Sequence, residues 1–393
     1  MTVSIRAKLV LAILVVLGAS GAASAVLVRE LYMRSVRAAS EEALRGASAA
    51  YDDLERNDIE RLSTALDVLV ANPALRDAFA ARDRDRLQAI AAPIHLALKT
   101  DHGIGHWNFI EPESKKMFLR VHLPNKFGDL IERQGLARAM ARQETSSGKE
   151  LGKSEFALRV GRPFFMDGKV IGYIELGEGI NHFLGQMKVQ TGNDFAMFIS
   201  KRFIDESEWA RTRGTQRNTW KEWPDAVVVN STTPDQMVDE GAFGAADASK
   251  ILGEVESNGS AFARGVFPVR DASGTVVGGL VVRHDITGLR TGMRAGLLQA
   301  LGFEIALALV ASLLVYLLVD RLIFRRLRGM MATMQDLSIR LAGGDYGVGA
   351  AVRPTRDDEI GGFEKFFAEF LGLVGNTLRG LAERRQQRPA SRP

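Results

Sequence analysis

At 393 residues, with 46% hydrophobic and 25% charged side chains, the chain has room for two modest globular domains and further elements. A formal net charge of +4 is too small to argue for a nucleic-acid partner, and much of the basic charge gathers at the chain ends and beside two apolar runs, where a membrane explains it. The lack of cysteine excludes disulfides, thiolate metal sites, cysteine nucleophiles and haem attachment through a CxxCH motif.

Residues 1–8 form a short basic start. Residues 9–28, LVLAILVVLGASGAASAVLV, carry no charge and have about the length an α-helix needs to cross a bilayer. Ala23-Ser24-Ala25 also fits a signal-peptide cleavage site. The apolar run continues through Val28 and has a later partner, which favours an uncleaved anchor. From Tyr32 to about Val70, apolar residues such as Leu54, Leu62, Leu66 and Leu69 recur at helical spacing, and Asn72-Pro73 marks a break. This predicts a long stalk helix.

Next come two strand-like stretches. Trp107, Asn108 and Phe109 alternate along one, and Phe118 to His122 along the other. Alternation sets Phe118, Arg120 and His122 on one face and Leu119 and Val121 on the other. Arginine and histidine beside aromatics suit an anionic or amphipathic small ligand. His106, Trp107, Lys126, Asp129, Glu155, Arg159 and Glu175 are the residues expected to complete that pocket. Taken singly, each reads more readily as a core aromatic or a structural ion pair, for instance Arg120 with Asp129 or Glu155. Taken together they read as a pocket. His102 and His106 have metal-ligand spacing, but Gly103 and Gly105 argue against a shared helix, so no metal and no cofactor is expected. No nucleophile elbow, Walker loop or HExxH motif is present, so this region reads as a binder and not an enzyme, with no catalytic residue.

Arg162 to Leu176, RPFFMDGKVIGYIEL, and Arg264 to Val282, RGVFPVRDASGTVVGGLVV, share an order of features: an arginine, an apolar strand, an Asp/Gly turn and a glycine-bearing return strand. Two copies of one sheet domain account for this better than two unrelated hairpins. Between them, Lys201 to Trp223 is basic and tryptophan-rich. It reads as an exposed insertion held by a few aromatics, or as a patch on the membrane surface.

The second apolar run, Gly302 to Val319 within residues 300–320, precedes Arg321, Arg325, Arg326 and Arg328. The positive-inside rule places that end in the cytoplasm, which leaves residues 29–299 outside and the N-terminus inside. In residues 321–378, Leu327, Met330, Met334, Leu337 and Leu341 follow one heptad stripe, and Ile360, Phe363, Phe367, Phe370 and Val374 a second. Two such short helices cannot bury their stripes alone, so a homodimeric four-helix bundle is expected. Residues 379–393 have a disordered composition.

The stretches His106–Gln134 and Gly152–Leu176 resemble the double Cache sensors of bacterial chemoreceptors and sensor kinases, through His106, Phe118-Leu119-Arg120, His122, Pro124 and Gly128-Asp129. The resemblance covers most of residues 30 to 290, the second half only in outline. It implies an α+β protein: tandem PAS-like antiparallel sheet domains behind the stalk, a distal one at about 80–190 that holds the ligand and a proximal one at about 191–290. Gly344-Asp345 and Asp358-Glu359-Ile360-Gly361 resemble the two signatures of a HAMP linker, although the proline that usually opens its first helix is replaced by Phe324-Arg325-Arg326. The expectation is a two-pass receptor of the bacterial inner membrane with a periplasmic sensor. It binds a small organic anion and signals to a cytoplasmic kinase, cyclase or chemotaxis output protein in trans. The alternative is a fragment of a histidine kinase or diguanylate cyclase without its output domain.

Overall fold

A computed structural model describes residues 5–152, 156–213, 217–234, 236–347 and 359–386. Glu155 and Asp358 therefore lie outside the described residues. The chain divides into two compact units, one of residues 29–294 and one of residues 1–28 with 295–393.

The larger unit is organised by helix α1, Ile5–Ala71, which contributes its length beyond residue 28. Leu44, Ala47, Tyr51, Leu54, Leu62, Leu66 and Leu69 on it are all buried, at the three- and four-residue spacing that lines one helix face. The helix ends where the sequence predicts. Asn72 Oδ1 accepts from Ala74 N at 2.9 Å and caps α2, Pro73–Ala80, whose first residue is proline. Helix α3, Arg84–His102, ends on Gly103 in the left-handed conformation at φ +72°. His102 thus closes a helix while His106 opens a strand, and the two are not on one helix face.

Strands β1 (His106–Ile110) and β2 (Met117–Arg120) come next, then helix α4 (Gln134–Arg142) and strands β3 (Ser146–Leu151), β4 (Phe156–Met166) and β5 (Lys169–Gly179). They form an antiparallel sheet ordered β2-β1-β5-β4-β3. Helix α5 (His182–Thr191) leads to β6 (Asp194–Ser200), α6 (Glu206–Arg213), β7 (Ala226–Ser231), α7 (Glu240–Ala245), β8 (Lys250–Ser257), β9 (Ser260–Arg270) and β10 (Val276–Asp285). The second sheet runs β7-β6-β10-β9-β8. Its order and antiparallel pairing are those of the first, shifted by five strands, and each has a helix between its second and third strands. The two hairpins read from sequence are β4–β5 and β9–β10. Asp167 and Gly168 turn the first with φ +49° and +75°, the pair of positive φ values a type I′ turn demands.

One apolar core joins the layers. It holds Leu62 and Leu66 of α1, Trp107, Phe109 and Leu176 of the first sheet, and Phe195, Phe267 and Leu280 of the second. Tyr51 touches both sheets, its ring centroid 4.8 Å from Lys149 Nζ of β3 and 5.9 Å from the Phe267 ring of β9, and it also meets Phe183 of α5 at 5.5 Å. The described residues of the tryptophan-rich stretch are mostly exposed and are held to the core by aromatics, in keeping with an anchored insertion. Trp209 is buried in this core and donates from Nε1 to Asn218 at 3.1 Å, and Trp223 meets Phe243 edge-on at 5.2 Å. Aromatic burial outweighs the surface bias of the neighbouring charges.

In the other unit, α1 up to residue 28 and helix α8, Thr287–Val319, from residue 295 carry windows of mean hydropathy 2.4 and 2.3, none of it buried. Both are long and apolar enough to cross a membrane. Glu304 of α8 accepts from Ser20 Oγ at 2.9 Å. After Val319 the backbone makes wide π turns over Asp320–Phe324 and continues as helix α9, Arg325–Ala342. With no proline here, no N–H is lost and the helix is not broken. Helix α10 spans Glu359–Gln386. Of the heptad stripes, Leu337 is buried within the chain, whereas Phe363 and Phe370 are each 50% exposed.

Gly172 tests the packing of α2 on the first sheet. A Cβ there would stand 2.4 Å from the Phe79 ring and 2.7 Å from the Ile110 carbonyl oxygen, a backbone atom with little freedom to yield. Gly172→Ala is expected to destabilise the larger unit by about 1–3 kcal/mol in denaturant titration, and Gly168→Ala at the open turn to act only through its backbone conformation.

Candidate functional site

The first sheet has an apolar face and a polar face, and strand register decides which residue lies on which. Asn108 sits opposite Arg120 on β2 and opposite Glu175 on β5, and Glu175 lies opposite Gly161 on β4. In the adjacent row His106 faces Gly177, which faces Arg159. One surface therefore carries His106, Asn108, Arg120, Arg159 and Glu175.

At its centre the Glu175 carboxylate is buried, with the Asn108 amide donating to Oε1 at 2.8 Å and Arg159 Nη1 at 3.2 Å. Arg133, in the loop before α4, also donates to Oε1. Gly177 makes this possible. A side chain there would stand 3.1 Å from Arg159 Cγ and 3.2 Å from its Nη1, so the glycine leaves a lane for the guanidinium. Burial pushes the Glu175 carboxyl up, but the Arg133 and Arg159 guanidiniums and the Asn108 amide outweigh it and hold it down at about 2. Glu150 on β3 accepts from Gly135 N of α4 at 2.7 Å, and burial raises its carboxyl.

The histidines gather at the edge of this face. His106 Nδ1 and His122 Nε2 are 3.4 Å apart, and His122 Nδ1 accepts from Trp107 N at 3.3 Å. Burial, reinforced by repulsion from His106, His95 and Arg159, lowers His122 to about 3, so His122 is neutral at any ordinary pH.

The remaining expected residues divide. Arg120 donates to both oxygens of Asp129 at 2.7 Å and to the Lys126 carbonyl at 2.9 Å, a bidentate clamp on the loop after β2. The Lys126 side chain itself is exposed. Two aromatics lie elsewhere than predicted. Trp107 is fully buried on the opposite face beside Phe109. Phe118 leaves the Arg120 face because the β1–β2 register slips between Phe109 and Ile110. It packs on Phe79 at 5.3 Å and under the Arg82 guanidinium at 5.7 Å. A bulge of this kind moves a side chain across the sheet. Arg133 and Glu150 complete the polar cluster but carry no sequence signal, one lying in a loop and the other on an edge strand.

The corresponding face of the second sheet has different chemistry. Where Asn108 pairs with Glu175, the second sheet pairs Ala196 with Val281, and both join an apolar cluster with Phe198, Val266 and Ala242 of α7. A cavity of about 500 Å³ opens beside it, lined by Thr219, Trp223, Val228, Asn230 and Met237 among others.

Residues 37–287 match the sequence profile described as the double sensory domain of two-component sensor kinase. Among solved structures, the chain is similar to the ligand-binding domain of the Campylobacter jejuni chemoreceptor Tlp3 in complex with 4-methylisoleucine, at 8% identity and TM-score 0.38, covering 66% of this chain and 94% of that one. It is similar to the periplasmic domain of Vibrio cholerae LuxQ at 11% identity and TM-score 0.36, covering 63% and 99%. It is similar to the E. coli DcuS sensor domain at 16% identity and TM-score 0.29, covering 34% and 98%. No curated protein matches the chain.

Acid should expose the Glu175 cluster. Its carboxyl is held at about 2 against an ordinary 4.5, so the stability it confers is present above pH 4.5 and lost as pH falls toward 2. The full shift corresponds to about 3 kcal/mol. Glu175→Gln is expected to lower stability by about 3 kcal/mol at pH 7, by leaving two guanidiniums without their carboxylate. It should also flatten the decline between pH 4.5 and 2 in chemical denaturation run across that range.

Proposed function

Because the chain belongs to the double Cache family of sensory domains, we propose that it is a two-pass receptor of the bacterial inner membrane. In this reading a small organic anion binds the polar face of the first sheet, and a conformational signal passes inward through a HAMP-like dimer. The observation that carries it is the convergence of Arg133, Arg159 and Asn108 on one oxygen of Glu175. A guanidinium has five N–H groups in a planar fork suited to carboxylates. A ligand carboxylate is thus a second acceptor for the groups that tie the loop before α4 to strands β4 and β5. Ligand that prefers one arrangement of that tie shifts the population of the whole sensor. On the second sheet the equivalent of the Asn108–Glu175 row is apolar, and in the next row Arg283 pairs with Asp194 at 2.7 Å.

Two apolar helices bracketing the sensory region support the two-pass topology, and Arg321, Arg325, Arg326 and Arg328 support a cytoplasmic relay. Gly344 takes φ +92° and Arg340 holds Asp345 at 2.5 Å, a turn that stops α9 where a HAMP linker changes direction. Glu359, Ile360 and Gly361 open α10. The half-exposed Phe363 and Phe370 suit a homodimer that covers them. The output is then a histidine kinase, cyclase or chemotaxis protein acting in trans, and the sensor itself performs no chemistry.

Two experiments test this. The Arg29–Arg294 unit, screened by thermal shift and calorimetry against small carboxylates and amino acids, is expected to bind at least one saturably. Arg133→Ala and Arg159→Ala should each weaken that binding about tenfold or more. A panel without a binder, or binding indifferent to both arginines, would sink the ligand assignment. Because the chain is free of cysteine, single Phe363→Cys and Phe370→Cys variants report the dimer directly. Oxidation in membranes is expected to give a disulfide-linked pair, and monomer at both positions counts against the bundle.

A further inference from the structure

Strands β6 and β7 hold in the second sheet the places of β1 and β2 in the first. Ala196 sits opposite Ser231 there, as Asn108 sits opposite Arg120. In both copies the residue on the edge strand ties down the loop that follows it. Arg120 grips Asp129 and the Lys126 carbonyl, and Ser231 Oγ donates to the Thr233 carbonyl at 2.8 Å. Side-chain volume is what differs. An asparagine and an arginine in the first sheet are replaced by an alanine and a serine in the second. The cavity of about 500 Å³ opens where these shorter side chains stand, with Ala196 and Ser231 both on its wall.

The polar groups on that wall are largely committed within the protein. Thr219 Oγ1 donates to the Val228 carbonyl and accepts from the Val228 N–H, both at 3.0 Å. Asn230 Nδ2 donates to the Asn181 carbonyl at 3.1 Å, and its Oδ1 accepts from Ser231 N at 2.9 Å. Among the described lining residues the charged ones are Arg217 and Glu222, and they pair with each other at 2.8 Å. An ionic ligand finds no uncompensated charge here to offset its desolvation. What the cavity does offer is apolar surface from Trp223, Val228, Met237 and Val238. Trp223 is half-buried, and its indole N–H donates to no group among the described residues.

We propose that this cavity is a second ligand site, for a neutral small molecule with an apolar body and a carbonyl acceptor: a carboxamide, ketone or ester. Its volume lies within the range of about 300–1,000 Å³ typical of small-molecule sites, and such sites combine apolar walls with a few polar groups. The apolar body displaces water from Val228, Met237 and Trp223, and the carbonyl takes the indole N–H. The site discriminates against carboxylates, the class expected on the first sheet. Two copies of one sheet thus read two chemical classes, one by charge and one by apolar fit.

The absence of cysteine permits a tethering test on the full chain in detergent. Pro234→Cys sets a single thiol at the exposed mouth of the cavity. Val189→Cys, at an 87% exposed position on α5, is the control. Each is equilibrated under graded 2-mercaptoethanol with the disulfide of N-benzyl-2-mercaptoacetamide, and separately with that of mercaptoacetic acid, and intact mass reads the adduct. The benzylamide adduct at Pro234→Cys is expected to survive about tenfold more reductant than at Val189→Cys, and the acid adduct to show no such difference. In the Pro234→Cys background, Ser231→Leu fills the cavity and should erase the advantage. Trp223→Phe keeps an aromatic ring, removes the N–H and should reduce it severalfold. Equal retention of the benzylamide at the two cysteines overturns the site, and an equal advantage for the acid overturns the ligand class. An advantage that survives both Ser231→Leu and Trp223→Phe places the probe elsewhere and overturns the site as well. None of these outcomes bears on carboxylate binding by the first sheet.

Discussion

The apolar stripe of α1 is the constraint on which the sensory unit depends. Leu54, Leu62 and Leu66 are not the core of either sheet alone, since both sheets complete one cluster against the same helix. Close-packed interiors are stiff and do not deform gradually. A change in one sheet is therefore felt by the helix that supports the other, through contact and without a dedicated path. Tyr51 is one point of that sharing, with Lys149 of the first sheet and Phe267 of the second both against its ring.

Duplication of a sheet order does not duplicate its chemistry. The same register position holds Asn108 and Glu175 in one copy and Ala196 and Val281 in the other. Replacing a buried charged row by an apolar one removes a large desolvation cost. Retaining the charged row in the first sheet requires Arg133, Arg159 and Asn108 around Glu175, together with Gly177 to admit the Arg159 side chain. Such an arrangement is held by polar geometry, which a competing anion can alter far more readily than it can alter a hydrocarbon core.

Much of this was legible in the sequence because it rests on local rules. The end of the stalk follows from Asn72-Pro73, the hairpins from Asp167-Gly168 and Asp271 to Gly274, and the repeat from their shared order. Period-two alternation placed Arg120 and Leu119 on opposite faces. It failed for Phe118, because the bulge opposite Ile110 is a property of two paired strands and leaves no mark in one of them. Trp107, expected at the ligand, lies beside Phe109, on the side where its own alternation puts it. Arg133 and Glu150 were out of reach for a different reason: loop closure and edge-strand pairing set them, and sequence spacing does not encode either.

The wide turns at Asp320–Phe324 have a consequence for the helices around them. Each residue advances a helix face by about 100°, and an i→i+5 turn accommodates an extra residue without breaking the backbone ladder. The direction in which Met330, Met334 and Leu337 point is therefore set by where along the chain the surplus residue is absorbed. Annealing it into ordinary α-helix would swing that row by one residue's angle, with little change in length. A helix with such a defect is a stepped rotor: it settles at discrete headings, and small differences in stability between them decide which one is occupied.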